Sequence, residues 1–116
     1  MNRDIAYLRH IIDEVALIRE FTTGVDRAQF EKNREKQSAV ILQLTLIGEM
    51  TKRVSKEVRD QIELPWKDIA GFRDRAIHDY YTLDLNIVWA TLSHDLDIIH
   101  KQISQWLNLH DIAAAQ

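Results

Sequence analysis

Leu85, Val88, Leu92, Leu96, Ile99, Ile103 and Trp106 follow one another at steps of 3, 4, 4, 3, 4 and 3 residues. Such spacing lays an apolar stripe along one face of a long helix, and Asp84 stands where its N-cap belongs. The N-terminal segment repeats the pattern. Ile5, Leu8, Ile12, Val15 and Ile18 share one face of a helix predicted from Asp4 to Phe21. Thr22-Thr23-Gly24 closes it with glycine at the favoured C-terminal position. Asp26-Arg27-Ala28-Gln29 reads as a capping box that opens a short helix through Asn33.

A longer helix is expected from Glu35 to Val58. Val40, Leu44, Ile47, Thr51, Val54 and Val58 form its buried stripe, and Leu46 and Met50 widen it. Gly48 lies inside this helix, where it costs up to about 1 kcal/mol relative to alanine. A close approach of two helices explains its presence. Ile62-Glu63-Leu64-Pro65-Trp66 is a break, because proline biases Leu64 away from the helical region and suits the first turn of a new helix. That new helix carries Trp66, Ile69, Phe72, Ala76 and Ile77, and Tyr81-Thr82-Leu83 connects it to the last one. The tail Ala113 to Gln116 is expected to fray. The pattern as a whole predicts an all-α, four-helix bundle with one short extra helix, forming one domain over residues 1–116.

Composition agrees with helices. Three glycines and one proline in 116 residues leave little material for the turns of an all-β fold. The absence of cysteine excludes a disulfide framework and a thiolate zinc site. No apolar run approaches the roughly 18–20 residues of a membrane span, and Met1-Asn2-Arg3-Asp4 lacks a signal-peptide pattern, so a cytoplasmic protein without membrane contact is expected. The net charge of −3 argues against a general nucleic-acid coat protein. Its distribution is uneven, however. Residues 51–75 hold Lys52, Arg53, Lys56, Arg59, Lys67, Arg73 and Arg75, whereas residues 76–116 hold Lys101 alone against five aspartates.

The chemistry concentrates in Gly71-Phe72-Arg73-Asp74-Arg75-Ala76-Ile77-His78-Asp79-Tyr80-Tyr81. Arginine keeps its charge and forks onto phosphate oxygens. Histidine exchanges a proton near neutral pH. Arg73 and His78 are five positions apart, which on an ideal helix is about 500° of rotation and leaves the side chains about 140° apart. They converge only if the helix ends or distorts between them, or if two chains build one site. Asp74 and Arg75 are the helical neighbours of His78 at four and three residues; Asp74 would orient the imidazole and Arg75 would oppose its protonation. A charged helix end is the competing explanation for the whole cluster.

Arg73-Asp74-x-x-x-His78-x-Tyr80 resembles the R-x4-H-x-Y motif of HEPN-domain toxins of the HepT type, the DUF86 family. Ile47-Gly48-Glu49, Leu64-Pro65-Trp66-Lys67-Asp68-Ile69 and Asp84-Leu85-x-x-Val88-Trp89 fall in family order around it, over nearly the whole chain. The family often has asparagine after the motif arginine, and Asp74 departs from that. The resemblance implies a homodimeric, metal-independent ribonuclease that is the toxin of a toxin–antitoxin pair, with messenger or transfer RNA as substrate and no cofactor. Arg73 and His78 would be catalytic and Asp74 supporting. From their charge alone, Arg53, Lys56 and Arg75 are candidate RNA contacts, as are Lys52 and Arg59, although a solvated helix face explains Lys52, Arg53, Lys56 and Arg59 equally well. Tyr80 would be the residue that an MntA-type nucleotidyltransferase antitoxin modifies with AMP, and Tyr81 is expected to pack.

Other clusters carry less. His94, Asp97 and His100 are spaced by 3 and 3, but the Glu-x-x-His pairs of di-iron bundles are missing, so a solvated face is expected and no metal site. Thr51 and Asp68 are weaker candidates for polar contacts near the site. The alternative functions are a non-catalytic HEPN partner that binds nucleotide or the nucleotidyltransferase, and a plain helical dimerisation module. The intact Arg-x4-His favours the enzyme.

Overall fold

A computed structural model describes residues 2–111. The frayed tail expected at Ala113 to Gln116 lies outside them. Along the described residues the chain runs α1 (Asn2–Thr22), α2 (Arg27–Lys32), α3 (Arg34–Arg53), α4 (Lys56–Arg59), α5 (Trp66–His78), a 3₁₀ turn (Tyr80–Thr82), α6 (Leu85–Ala90), a π-helical turn (Thr91–Asp95) and α7 (Leu96–His110). No strand occurs among the described residues. Helix α3 is the centre of the bundle: α1 packs along one side of it and α5 along the other, while α7 closes on α1. This is the all-α bundle that the apolar pattern predicts.

Several local signals do what their chemistry dictates. Gly24 ends the α1 turn at φ +73°, a backbone region where a Cβ would be strained. Asp26 accepts from the Gln29 backbone N–H at 2.8 Å while the Gln29 side chain accepts from the Asp26 N–H at 2.9 Å, completing the capping box. Asp84 caps α6 by accepting from the Asn86 N–H at 2.8 Å.

Three features differ from the sequence expectation. The inward stripe of α1 is centred on Ile11 rather than Ile12: Leu8, Ile11, Val15 and Ile18 are fully buried, and Ile5 and Ile12 flank them. The long helix does not reach Val58 but stops at Arg53. Val54 turns extended, at φ −65° and ψ 135°, and Ser55 N-caps the separate turn α4. The cause lies on α1, where the buried Asp4 carboxylate accepts from the Ser55 backbone N–H at 2.7 Å and from its hydroxyl at 2.9 Å. Val54 and Val58 still reach the core, which is why apolar spacing alone did not reveal the break.

The third difference is in the last helix. Val88, Leu92 and Leu96 are spaced by 4 and 4, and eight residues of ideal α-helix overshoot two full turns by about 80°. The π turn at Thr91–Asp95 takes up the surplus residue. Val88 on one side of it and Leu96 on the other therefore both face inward.

Candidate functional site

Helix α5 begins after Pro65, and Trp66 anchors its first turn by donating its indole N–H to the Arg59 and Ile62 carbonyls at 3.1 and 3.0 Å. From there it runs unbroken to His78, with Asp79 as its C-cap at φ −151° and ψ 50°. Phe72 and Ala76 are its buried positions, while Ile77 and His78 are exposed. Because no distortion separates Arg73 from His78, the two side chains keep the roughly 140° divergence of an ideal helix. One chain alone does not close them onto a common point.

Arg73 is placed by α3. The two helices run antiparallel: Ser38 lies by Tyr80, Gly48 and Glu49 by Arg73, and Lys52 by Asp74. At Gly48 the approach is so close that a Cβ would lie 2.4 Å from the Arg73 Cβ and 3.1 Å from the Ile69 carbonyl oxygen. The glycine is therefore a helix-contact residue, and what it contacts is the motif arginine. Thr51 is buried one turn on, and its hydroxyl donates to the Gly48 carbonyl at 2.7 Å, a role inside α3 rather than in the site.

A chain of ion pairs follows. Arg73 Nε donates to Glu49 Oε2 at 2.8 Å, and Nη1 donates to Asp74 Oδ1 at 3.0 Å. Lys52 Nζ donates to the same Asp74 oxygen at 2.6 Å, and Arg53 Nη2 reaches Glu49 Oε1 at 3.4 Å. Hydrogen bonding to Lys52, then to Arg73, holds the Asp74 carboxyl below its ordinary range. The hydrogen bond that Arg73 donates to Asp74, with Glu49 adding to it, raises the Arg73 guanidinium further and keeps it charged. Asp74 thus does not act as expected. Its carboxylate serves Lys52 and Arg73 on the α3 side rather than the imidazole of His78.

Tyr81 also departs from expectation. Tyr81 does not pack into the protein: it is 99% exposed, and its ring stands edge to face against the Tyr80 ring with centroids 6.0 Å apart. The 3₁₀ turn swings it outward immediately after α5 ends. Tyr80 is 45% exposed, with its hydroxyl 3.5 Å from the Ser38 Oγ.

Among the candidate RNA contacts, Arg53 and Lys56 are exposed and paired, with Glu49 and Asp60 respectively. Arg75 lies about 200° around the helix from Arg73. It borders a groove of about 300 Å³ between α3, α5 and the last helix, along with Asp68 and Asp95. That groove is mostly apolar and lies away from Arg73, His78 and Tyr80, none of which line it. Asp97 of the His94–His100 series is bonded to Arg19 at 2.5 Å. No group of three His, Asp or Glu among the described residues is placed to hold a metal ion.

In the sequence, Glu49 stands only as part of Ile47-Gly48-Glu49, with no spacing that gives it a role. The signal was the mid-helix Gly48 beside it, since a glycine that admits a neighbouring helix also brings the next side chain against it.

Residues 11–106 match the HepT-like family, described as ribonuclease HepT-like. "Putative RNase TTE0752" of Caldanaerobacter subterraneus subsp. tengcongensis is 34% identical over 102 residues, covering 87% of this chain and 91% of that protein. "Putative RNase MJ0125" of Methanocaldococcus jannaschii is 35% identical over 105 residues, covering 89% and 90%. "Probable ribonuclease HepT" of Thermococcus cleftensis is 35% identical over 91 residues, covering 78% and 83%. No solved structure matches the chain. With a family match over residues 11–106 and relatives 34–35% identical over most of its length, the chain belongs to the HepT-like ribonuclease family and to the enzymatic class of RNA endonucleases.

Proposed function

We propose that the protein is the toxin of a toxin–antitoxin pair, a metal-independent endoribonuclease that works as a homodimer with Arg73 and His78 in a cleft between two α5 helices. The observation that carries this reading is the unbroken course of α5 through the motif. Arg73 and His78 point apart on one chain, so a phosphodiester touched by both needs an arginine from one copy and a histidine from the other. The exposed Ile77, Tyr80 and Tyr81 around the motif supply apolar surface suited to covering by that second copy.

The chemistry balances without a cofactor. His78 takes the proton from a ribose 2′-hydroxyl, and the oxygen attacks the adjacent phosphorus. The bond to the 5′-oxygen of the next nucleotide breaks, and that oxygen takes a proton from the imidazolium of the second His78 or from water. The products are a 2′,3′-cyclic phosphate and a 5′-hydroxyl. Arg73 stabilises the charge that builds on the phosphoryl oxygens. Arg53 and Lys56 attract the RNA backbone from the α3 side.

Tyr80 is the proposed point of control. Its phenol attacks the α-phosphorus of ATP on an MntA-type nucleotidyltransferase, pyrophosphate leaves, and the new phosphodiester adds negative charge beside the cleft that repels RNA.

The test is RNA cleavage by the unmodified protein in excess EDTA, with product ends read by enzymatic phosphate release. Cleavage with cyclic ends supports the mechanism. Intact RNA from a protein that mass spectrometry shows free of AMP would favour the non-catalytic partner instead. Tyr80→Phe is expected to cut at close to the wild-type rate while taking up no AMP from ATP and the antitoxin. Undiminished incorporation would move the modification elsewhere, with the fully exposed Tyr81 the first place to look.

A further inference from the structure

We propose that Glu49 is a positioning residue for the motif arginine, holding the Arg73 guanidinium in the orientation that engages phosphate. The catalytic half of this inference rests on the ribonuclease reading above, whereas the structural half stands by itself.

An arginine offers five N–H donors in a plane. Arg73 spends Nε–H on Glu49 and one Nη1–H on Asp74, both carboxylates lying on the protein side. Three N–H groups of the fork remain for a ligand, and the rotation of the guanidinium about its own stem is fixed. The Arg73 side chain is 23% exposed and the Glu49 side chain 30%, so this pair is better shielded than a surface ion pair. Glu49 is itself steadied, because its other oxygen receives Arg53 from the next turn of α3. Asp74 adds less by itself, as it sits on the same helix as Arg73 and divides its one bonded oxygen between Arg73 and Lys52. Among the described residues, only Glu49 bonds the arginine from a second helix. Gly48, directly before it, is what lets that helix come near enough.

A carboxylate beside a phosphate-binding arginine is costly unless it does something. It lowers the local positive potential and so weakens RNA attraction. A purely structural strap would show up in stability alone, and a purely electrostatic nuisance would make its removal beneficial. A positioning carboxylate gives a third signature: its loss lowers turnover although RNA binds no more weakly.

The experiment compares wild type, Glu49→Ala, Glu49→Gln and Arg73→Ala, using a mixed-sequence end-labelled oligoribonucleotide in EDTA and the arginine Nε–H resonances of each unmodified protein. Glu49→Ala is expected to lower kcat by about 10–100-fold with KM unchanged or lower, and to lose the protected Arg73 Nε–H signal. Glu49→Gln keeps an acceptor oxygen and should recover most of the rate and the signal. Added to Arg73→Ala, Glu49→Ala should cost nothing further. Equal losses from Glu49→Ala and Glu49→Gln would overturn the proposal, as would an unchanged Nε–H signal or additive losses in the double variant. If the wild type leaves RNA intact, the ribonuclease mechanism falls, and the Nε–H signal decides the Glu49 contact without reference to cleavage.

Discussion

His78→Ala removes RNA cleavage and leaves the bundle folded. The expected loss is at least the roughly 10²–10⁴-fold that a positioned acid–base group contributes, and it falls on kcat. The fold survives because His78 is exposed on the last turn of α5, outside the core face formed there by Phe72 and Ala76. A surface change of this kind stays within about 0.5 kcal/mol, so melting should move by only a few degrees. The check pairs a cleavage time course in EDTA with thermal unfolding of the same sample. Wild-type cleavage by the variant would remove His78 from the mechanism. A large fall in melting temperature would mean that the imidazole supports α5 rather than the reaction.

The two links, fold and site, were not equally open to sequence reading. Helix existence was written in the apolar spacing and in caps such as Asp26 and Asp84, whose partners lie within three residues. What stayed hidden was set by contacts distant in sequence. The end of α3 at Arg53 depends on Asp4, 51 positions away from the Ser55 it binds. Helical spacing pairs Asp74 with His78, since helical neighbours are what a single helix offers, yet Lys52, 22 positions away, takes its carboxylate. Tyr81, three residues from His78, is expected to pack, yet the 3₁₀ turn at Tyr80–Thr82 leaves it 99% exposed.

The same limit applies to the catalytic pair. Motif spacing identified Arg73 and His78 and stated the geometric difficulty, that a continuous helix separates them. The uninterrupted helix from Trp66 to His78 turns the difficulty into a constraint: either two copies share the reaction, or the residues do not act on one phosphate. The Glu49 contact adds a requirement on the Arg73 half alone, and it is the half that α3 controls.

Gly48→Ala should therefore damage both stability and activity, although alanine is the better helix former. Helix propensity favours the change by up to about 1 kcal/mol. Against that, the new methyl would lie 2.4 Å from the Arg73 Cβ and 3.1 Å from the Ile69 carbonyl oxygen. Neither atom is the loose end of a side chain, so relief comes only by moving α5 away from α3. Overpacking of this sort costs about 1–3 kcal/mol, which leaves a net loss of up to about 2 kcal/mol. The larger consequence is for the site, because the displaced element carries Arg73 away from Glu49; a shift of about 1 Å is worth about 10²-fold in rate. Gly71→Ala supplies the control on α5 itself. Gly71 is helical, and its added Cβ meets nothing within 4 Å, so alanine there should stabilise by about 0.4–1 kcal/mol with cleavage unchanged. Denaturant unfolding and cleavage rates of the two variants should thus move in opposite directions from wild type in stability, with only Gly48→Ala losing activity. A Gly48→Ala protein as stable and as active as Gly71→Ala would show that α3 and α5 can part without consequence, and that the close approach has no part in presenting Arg73.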